Sequence, residues 1–188
     1  MDTQALIRRI VAGDQAAYAE LVRAHQARLL RLCTSLLGDA TLAEDAAQEI
    51  FFKAYQALPS FRGQSAFSTW LYRIASNHCM DVLRKRRRER AESWEQLLED
   101  SGEPLRASEV PANDPATVLA TAELVQDALA RLAPDHRLIV TLREVEGLSY
   151  NELANVLHCS LDAVKARLRR ARLALLERLR HFTRTDNV

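Results

Sequence analysis

At 188 residues, 27% charged and 48% hydrophobic, the chain can bury a sizeable core as one domain or as two small ones, which excludes disorder throughout. Its formal net charge of +1 excludes a uniformly polybasic or acidic protein. No apolar run approaches a membrane span and the start MDTQALIRRIVAGD lacks a signal-peptide core, so a cytoplasmic location is expected.

Glycine and proline number five each, and Ala, Leu, Arg and Glu dominate without any run of alternating β-branched residues. An all-α fold follows. A first helix is expected from Thr3 to Ala12, stopped by Gly13. Asp14 caps a long second helix whose buried stripe is Tyr18, Leu21, Val22, Leu29, Leu32, Leu36 and Leu37, ending at Gly38. Thr41 and Glu44 have capping-box spacing and open a third helix that continues to Leu58, before Pro59. After the loop SFRGQS a fourth helix is expected from about Ser65 to Arg88, which completes a domain over residues 1–90.

Two features of this domain exceed what a bundle needs. Asp45, Gln48, Glu49 and Phe52 recur at three- and four-residue steps on the third helix, so acid, amide and aromatic groups share one face. That face suits a protein partner with basic helices, although a helix start also favours acids through its dipole. Phe61, Phe67, Trp70 and Tyr72 then cluster just before the basic run RKRRRER, which begins with Arg84 and Lys85. Aromatic faces beside cations are the chemistry that holds unstacked bases, at about 1–3 kcal/mol per stack. The alternative is that these rings are core.

From Ala91 to Asp114 the charge reverses: Glu92, Glu95, Glu99, Asp100, Glu103, Glu109 and Asp114 face a lone Arg106. With its Pro and Ser residues this stretch reads as an acidic flexible linker over 91–114, and leaves a second domain at 115–188.

That domain carries SYNELANVLHCSLDAVKARLRRAR, from Ser149 to Arg172. Ser149 with Glu152 forms a capping box and Ser160 offers another N-cap, the spacing of a helix-turn-helix. Leu161, Val164, Leu168, Ala171 and Leu175 make the buried stripe of the second helix. This leaves Lys165, Arg169 and Arg170 toward solvent, with Arg167 and Arg172 on the flanks. Such a helix can lie in a DNA major groove, where arginine reads guanine edges and basic groups neutralise phosphates. A solvated basic hairpin is the alternative.

Cys33, Cys79 and Cys159 form no CxxC pair, and neither His78-Cys79 nor His158-Cys159 has the spacing of zinc ligands, so no metal or cofactor is assigned. No phosphate-binding loop or nucleophile motif occurs. The expectation is a protein without catalytic chemistry of its own.

The ordered segments DAAQEIFFKAYQAL, SFRGQSAFSTWLYRIASNHCMDVLRKRRR and LAPDHRLIVTLREVEGLSYNELANVLHCSLDAVKARLRRAR resemble the signature segments of the extracytoplasmic-function sigma factors of the bacterial sigma-70 family. The resemblance covers nearly the whole chain. It implies a sigma-two helical bundle and a sigma-four helix-turn-helix joined by a linker, directing core RNA polymerase to promoters. By that resemblance Asp45, Gln48, Glu49 and Phe52 face the β′ clamp helices, and the sigma-four domain meets the β flap. Phe61, Arg62, Gly63, Gln64, Ser65, Phe67, Trp70 and Asn77, with Arg84 and Lys85, correspond to the minus-ten surface that captures a flipped base and flanking DNA. Lys165, Arg167, Arg169, Arg170 and Arg172 correspond to the minus-thirty-five reader. Ala166 and Arg169 depart from residues common in the family, a small hydroxyl and an aromatic respectively. Promoter DNA, both duplex and melted, is the implied partner, together with a cognate anti-sigma factor that is membrane-anchored in many members. Two other classes stay open on the residues alone. A stand-alone helix-turn-helix regulator would leave the Asp45 face and the FRGQSAF loop without a role, whereas a helical adaptor would make both basic segments solvated faces.

Overall fold

The computed structural model describes residues 3–100, 125 and 127–185, and among these there is no strand. Helices α1 (Thr3–Val11), α2 (Gln15–Leu37), α3 (Ala40–Ala57) and α4 (Phe67–Asp100) build the first unit. Local chemistry sets their ends. Asp14 is extended and its carboxylate accepts from Ala17 N, which starts α2, and Gly38 ends it in the left-handed region with its N–H on Thr34 O. The cap of α3 is Asp39, accepting from Leu42 N, rather than Thr41. Asp39 directly follows the left-handed glycine and is already extended, so the first available oxygen acceptor wins and Thr41 falls inside the first turn. A 3₁₀ turn at Leu58–Ser60 around Pro59 then closes α3.

Leu21, Leu29, Leu32 and Leu36 of α2 interlock with Ile50 and Ala54 of α3 and with Leu71, Ala75 and Cys79 of α4. The periodic stripe read from α2 is therefore its core face, except that Tyr18 and Val22 are half-buried. Tyr18 instead donates its phenol to Phe51 O at 2.6 Å, and burial raises its pKa to about 12. The thiols of Cys33 and Cys79 meet in this core with sulfurs 3.9 Å apart. The hydrogen bond to Cys33 and burial push the Cys79 pKa far up, so this is a packed thiol and not a nucleophile.

Helix α4 continues twelve residues beyond the expected Arg88, into the acidic stretch. Ala, Glu, Gln and Leu at 91–99 are strong helix formers, and the acids follow the basic run at helical spacing, as in Lys85–Glu89 at 3.7 Å. Charge reversal therefore did not mark a helix end. Residues 101–114 of the expected linker and 115–124 of the expected second domain lie outside the described residues.

The second unit holds a helical stretch at residues 127–130, α5 (Pro134–Val140), a π turn at Thr141–Val145, α6 (Tyr150–Leu157) and α7 (Leu161–Thr185). In the π turn Glu146 N reaches back to Thr141 O at 3.1 Å, a wider ring than an α turn closes. Ile139, Leu142, Leu153, Val156, Val164, Leu168 and Ala171 form the core.

The two units pack on each other, with α4 against α6 and α2 against α5. Buried Arg137 donates to Leu129 O at 2.8 Å, to Leu132 O at 3.3 Å and to Ala130 O within its own unit, and to Leu36 O at 2.9 Å across the junction. Leu36 lies in the last turn of α2, where carbonyls lack helical partners, so one guanidinium caps the ends of two helical segments. Burial lowers its pKa, but arginine remains charged.

The turn between α6 and α7 exposes a local strain. His158 occupies the left-handed region with φ 49°. A Cβ there costs roughly 1–2 kcal/mol, partly offset in a glycine variant by greater freedom of the unfolded chain. His158→Gly is expected to stabilise the protein by about 0.5–1 kcal/mol, visible as a thermal midpoint higher by about 1–4 °C. A lower midpoint would show that the imidazole supports the turn.

Candidate polymerase and nucleic-acid surfaces

The third helix buries Ala43, Ala46, Ala47, Ile50 and Ala54, which turns Asp45, Gln48, Glu49 and Phe52 outward together. Phe52 is 62% exposed, an aromatic ring that contributes nothing to the core. Gln48 stands at the rim of a groove of about 320 Å³ between α2 and α3, lined also by Val22, Leu30, Ala47 and Phe51. On the other side Glu49 lies 3.5 Å from Lys53 Nζ, and Lys53 lies 2.7 Å from His78 Nδ1. Burial, and next the Lys53 charge, lower the His78 pKa, so a neutral imidazole accepts from the ammonium. This braces Glu49 at the edge of an open cleft of about 840 Å³ whose far side is the basic run, including Arg84 and Lys85. Arg84 is itself paired with Asp81 at 2.8 Å.

The aromatic cluster is real but faces inward. Phe61 packs on Phe67 edge-on at 5.9 Å and on Trp70 at 5.2 Å, and Phe67 and Trp70 are 5% and 8% exposed. Neither buried ring offers a face to a base in this conformation; they form the floor beneath half-buried Phe61. Arg62 and Gln64 are exposed above it, Ser65 is half-buried, and Asn77 is exposed two helical turns along α4. Gly63 has φ 69°, which alone favours glycine; an added Cβ would also meet the Gln4 amide, a mobile side-chain end.

The helix-turn-helix forms at the expected residues. Both halves of the Ser149–Glu152 capping box are made, and Ser160 Oγ accepts from Ala163 N at 3.2 Å. Glu152 is held below the usual carboxylate range, chiefly by the Ser149 N–H and hydroxyl. Val164, Leu168 and Ala171 are fully buried and Leu175 is half-buried. Leu161, expected in that stripe, is 42% exposed at the first residue of α7. Lys165, Arg167, Arg169 and Arg170 all project into solvent. Arg172 is engaged within the domain: it donates to Glu144 at 2.6 and 3.1 Å, and that carboxylate raises its pKa. In this structure it is a strut between α7 and the π turn rather than a free cation.

Sequence reasoning did not single out Arg137, Thr69 or Glu146 and read Tyr72 only as one ring of the aromatic cluster; Thr69 pairs with Glu152, Tyr72 with Glu146 and Arg137 with Leu36, all far away in the chain. Among the described residues no group of His, Cys, Asp and Glu has metal-site geometry, and no helix is long and apolar enough to cross a membrane.

Comparison with known proteins agrees with this architecture. Residues 21–89 match Sigma-70 region 2 and residues 122–175 match Sigma-70, region 4. The chain is 39% identical to the RNA polymerase sigma-H factor of Pseudomonas aeruginosa, over 96% of this chain and 95% of that one. It is 37% identical to the ECF RNA polymerase sigma-E factor of Escherichia coli, over 92% and 91%. Among solved structures it resembles CnrH in complex with the cytosolic domain of CnrY (28% identity, TM-score 0.67, covering 94% of this chain and 96% of that one). It also resembles the sigma factor RpoE bound to the anti-sigma factor NepR from Bartonella quintana (28%, TM-score 0.64, covering 87% and 96%). With two sigma regions in order on an all-helical chain, and relatives matched end to end, the protein belongs to the extracytoplasmic-function sigma factors of the sigma-70 family, alternative factors that direct RNA polymerase to specific promoters.

Proposed function

We propose that three surfaces divide the work of promoter-specific initiation. The α3 face of Asp45, Gln48, Glu49 and Phe52 docks on basic helices of core polymerase, the β′ clamp helices, and the second unit meets the β flap. Arg62, Gln64 and Asn77, above the ring floor of Phe61, Phe67 and Trp70, capture an extruded minus-ten base, and the run from Arg84 holds flanking phosphates. Lys165, Arg167, Arg169 and Arg170 read the minus-thirty-five duplex, with Arg172 fixing the angle of their helix.

The observation that carries this reading is α7 itself. Val164, Leu168 and Ala171 of its inner stripe are buried while Lys165, Arg167, Arg169 and Arg170 face water, on the second helix of a capped helix-turn-helix. A groove-reading helix needs that division, with its body fixed and its cations free to meet bases and phosphates. The chain supplies binding energy and no catalysis, which belongs to the polymerase. It works in the cytoplasm. Because solved relatives are bound to anti-sigma factors, we propose that a cognate anti-sigma factor, soluble or membrane-anchored, holds this chain as well.

Gln64→Ala and Asn77→Ala test the base-capture assignment without disturbing the core, since both residues are exposed. Extruding a base costs a few kcal/mol, so losing one polar contact to it should slow open-complex formation on duplex promoters by about 10- to 100-fold. A premelted bubble should restore much of the rate, because the unpairing cost is gone. Parental rates on intact duplex would remove these residues from the site.

A further inference from the structure

Five cations and two carboxylates line the open cleft of about 840 Å³ between α3 and α4. Lys53 stands on α3, and Arg84, Lys85, Arg87 and Arg88 follow closely along α4, where like charges at three- and four-residue spacing repel. Acids answer part of that charge: Arg84 lies 2.8 Å from Asp81, Lys85 3.7 Å from Glu89 and Lys53 3.5 Å from Glu49. Among the described residues Arg87 and Arg88 form no ion pair. A bound anion would relieve the repulsion that the free chain carries there.

A buried donor in the same cleft points to the same class of ligand. His78, 9% exposed, is among the lining residues. An ammonium can only donate, so the 2.7 Å contact from Lys53 Nζ makes His78 Nδ1 the acceptor and puts the ring proton on Nε2. The described residues offer that N–H no acceptor. An unmatched, nine-tenths buried donor beside unpaired guanidinium groups is a donor set for an oxyanion. From His78 to Arg88 the helix rises about 15 Å at about 1.5 Å per residue. A single phosphate cannot bridge that span, whereas a chain of linked phosphates can, with long side chains reaching inward from either end.

We propose that this cleft binds a condensed phosphate chain, inorganic or carried by a nucleotide, held by Lys53 and the His78 Nε2–H at one end and by Arg87 and Arg88 at the other. Glu49 competes for Lys53, so its carboxylate sets how easily the chain enters. Arg84 and Lys85 lie between the two ends and are the cations assigned above to DNA flanking the minus-ten element. A filled cleft therefore withholds them from the promoter. This last consequence rests on that assignment; the site itself does not.

Calorimetric titration of the full chain with tripolyphosphate, ATP and orthophosphate tests the site. Tripolyphosphate should bind at least about tenfold more tightly than orthophosphate, which reaches one end only. ATP binding no tighter than tripolyphosphate assigns an inorganic chain, and tighter binding assigns a nucleotide. Lys53→Met with Arg88→Gln removes the same charge as Arg86→Gln with Arg90→Gln, but only the first pair lines the cleft. The first should weaken tripolyphosphate binding at least about tenfold and the second less than about threefold, the loss expected of a diffuse, screened field. In the parental chain the His78 imidazole resonance should shift with tripolyphosphate and its pKa should rise, while the other histidines hold still. Equal losses from the two double variants overturn the site. So does an unmoved His78, or equal affinity for tripolyphosphate and orthophosphate. At constant free magnesium, tripolyphosphate should also inhibit promoter binding by holoenzyme carrying the parental chain more than by holoenzyme carrying Lys53→Met with Arg88→Gln. Tight binding of the anion without that difference would leave the site standing and remove Arg84 and Lys85 from the DNA surface.

Discussion

Alanine at Asp45, Gln48 and Glu49 together is expected to weaken association with core RNA polymerase by at least about a hundredfold, close to 2.7 kcal/mol. The fold should hardly notice. All three side chains are exposed on α3, and Glu49, 64% exposed, gives up its 3.5 Å pair with Lys53 and its 3.9 Å approach to His78, separations at which surface contacts contribute little. Phe52→Ala should act in the same direction, since a ring 62% exposed has no packing to lose and an interface to lose it from. Competition binding against the parental chain, with circular dichroism on each variant, separates the two effects. A well-folded triple variant with parental affinity would sink the assignment of this face.

The largest expected effect on stability lies elsewhere, at Arg137. Replacing it by methionine keeps the stem and removes a guanidinium that serves Leu36, Leu129, Ala130 and Leu132 carbonyls. Two terms compete. The buried charge is costly, and replacing a buried ion by an apolar group can be neutral when both partners of a pair go. Here the partners are backbone carbonyls, which cannot be removed and which stay buried after the substitution. The unmet acceptors therefore decide the sign, and a loss of about 2–4 kcal/mol is expected. Chemical denaturation should read it, with a thermal midpoint lower by roughly 5–15 °C. Arg137→Lys should recover only part, because an ammonium is a point donor and cannot span carbonyls set in different directions. A shift under about 0.5 kcal/mol for the methionine variant would mean that these carbonyls find water.

What was legible in the chain follows from how local the determining interaction is. Asp14, Gly38, the Ser149–Glu152 box and Ser160 act within four residues, and each ends or starts its helix where the letters place it. The buried stripes of α2 and α7 follow from periodicity, because burying one face is all the bundle asks of them. Reading failed where two local signals compete or where the partner is remote. Asp39 outbid Thr41 as the cap of α3, and helix propensity at 91–99 outweighed the reversal of charge. Phe67 and Trp70 looked the same as base platforms or as core until α4 was placed against α2, and Leu161 fits the periodic stripe of α7 yet is 42% exposed. Arg172 reads as one more cation of a basic helix; only the fold brings Glu144 within 2.6 Å of it. The exposed face of Asp45, Gln48, Glu49 and Phe52 was legible as a pattern of letters on one helix side, whereas the contacts between the units span about seventy to a hundred residues and left no trace in any window of sequence.

The adjacent thiols at the centre of the first unit have a use that concerns time rather than shape. Cys33 and Cys79 are completely shielded, whereas Cys159 is partly open to solvent at the helix-turn-helix. A small alkylating reagent therefore meets two clocks in one molecule. Its fast reaction with Cys159 follows the native surface, and its slow reaction with the inner pair waits for the bundle to come apart, so that rate divided by the free-thiol rate measures how often the unit opens.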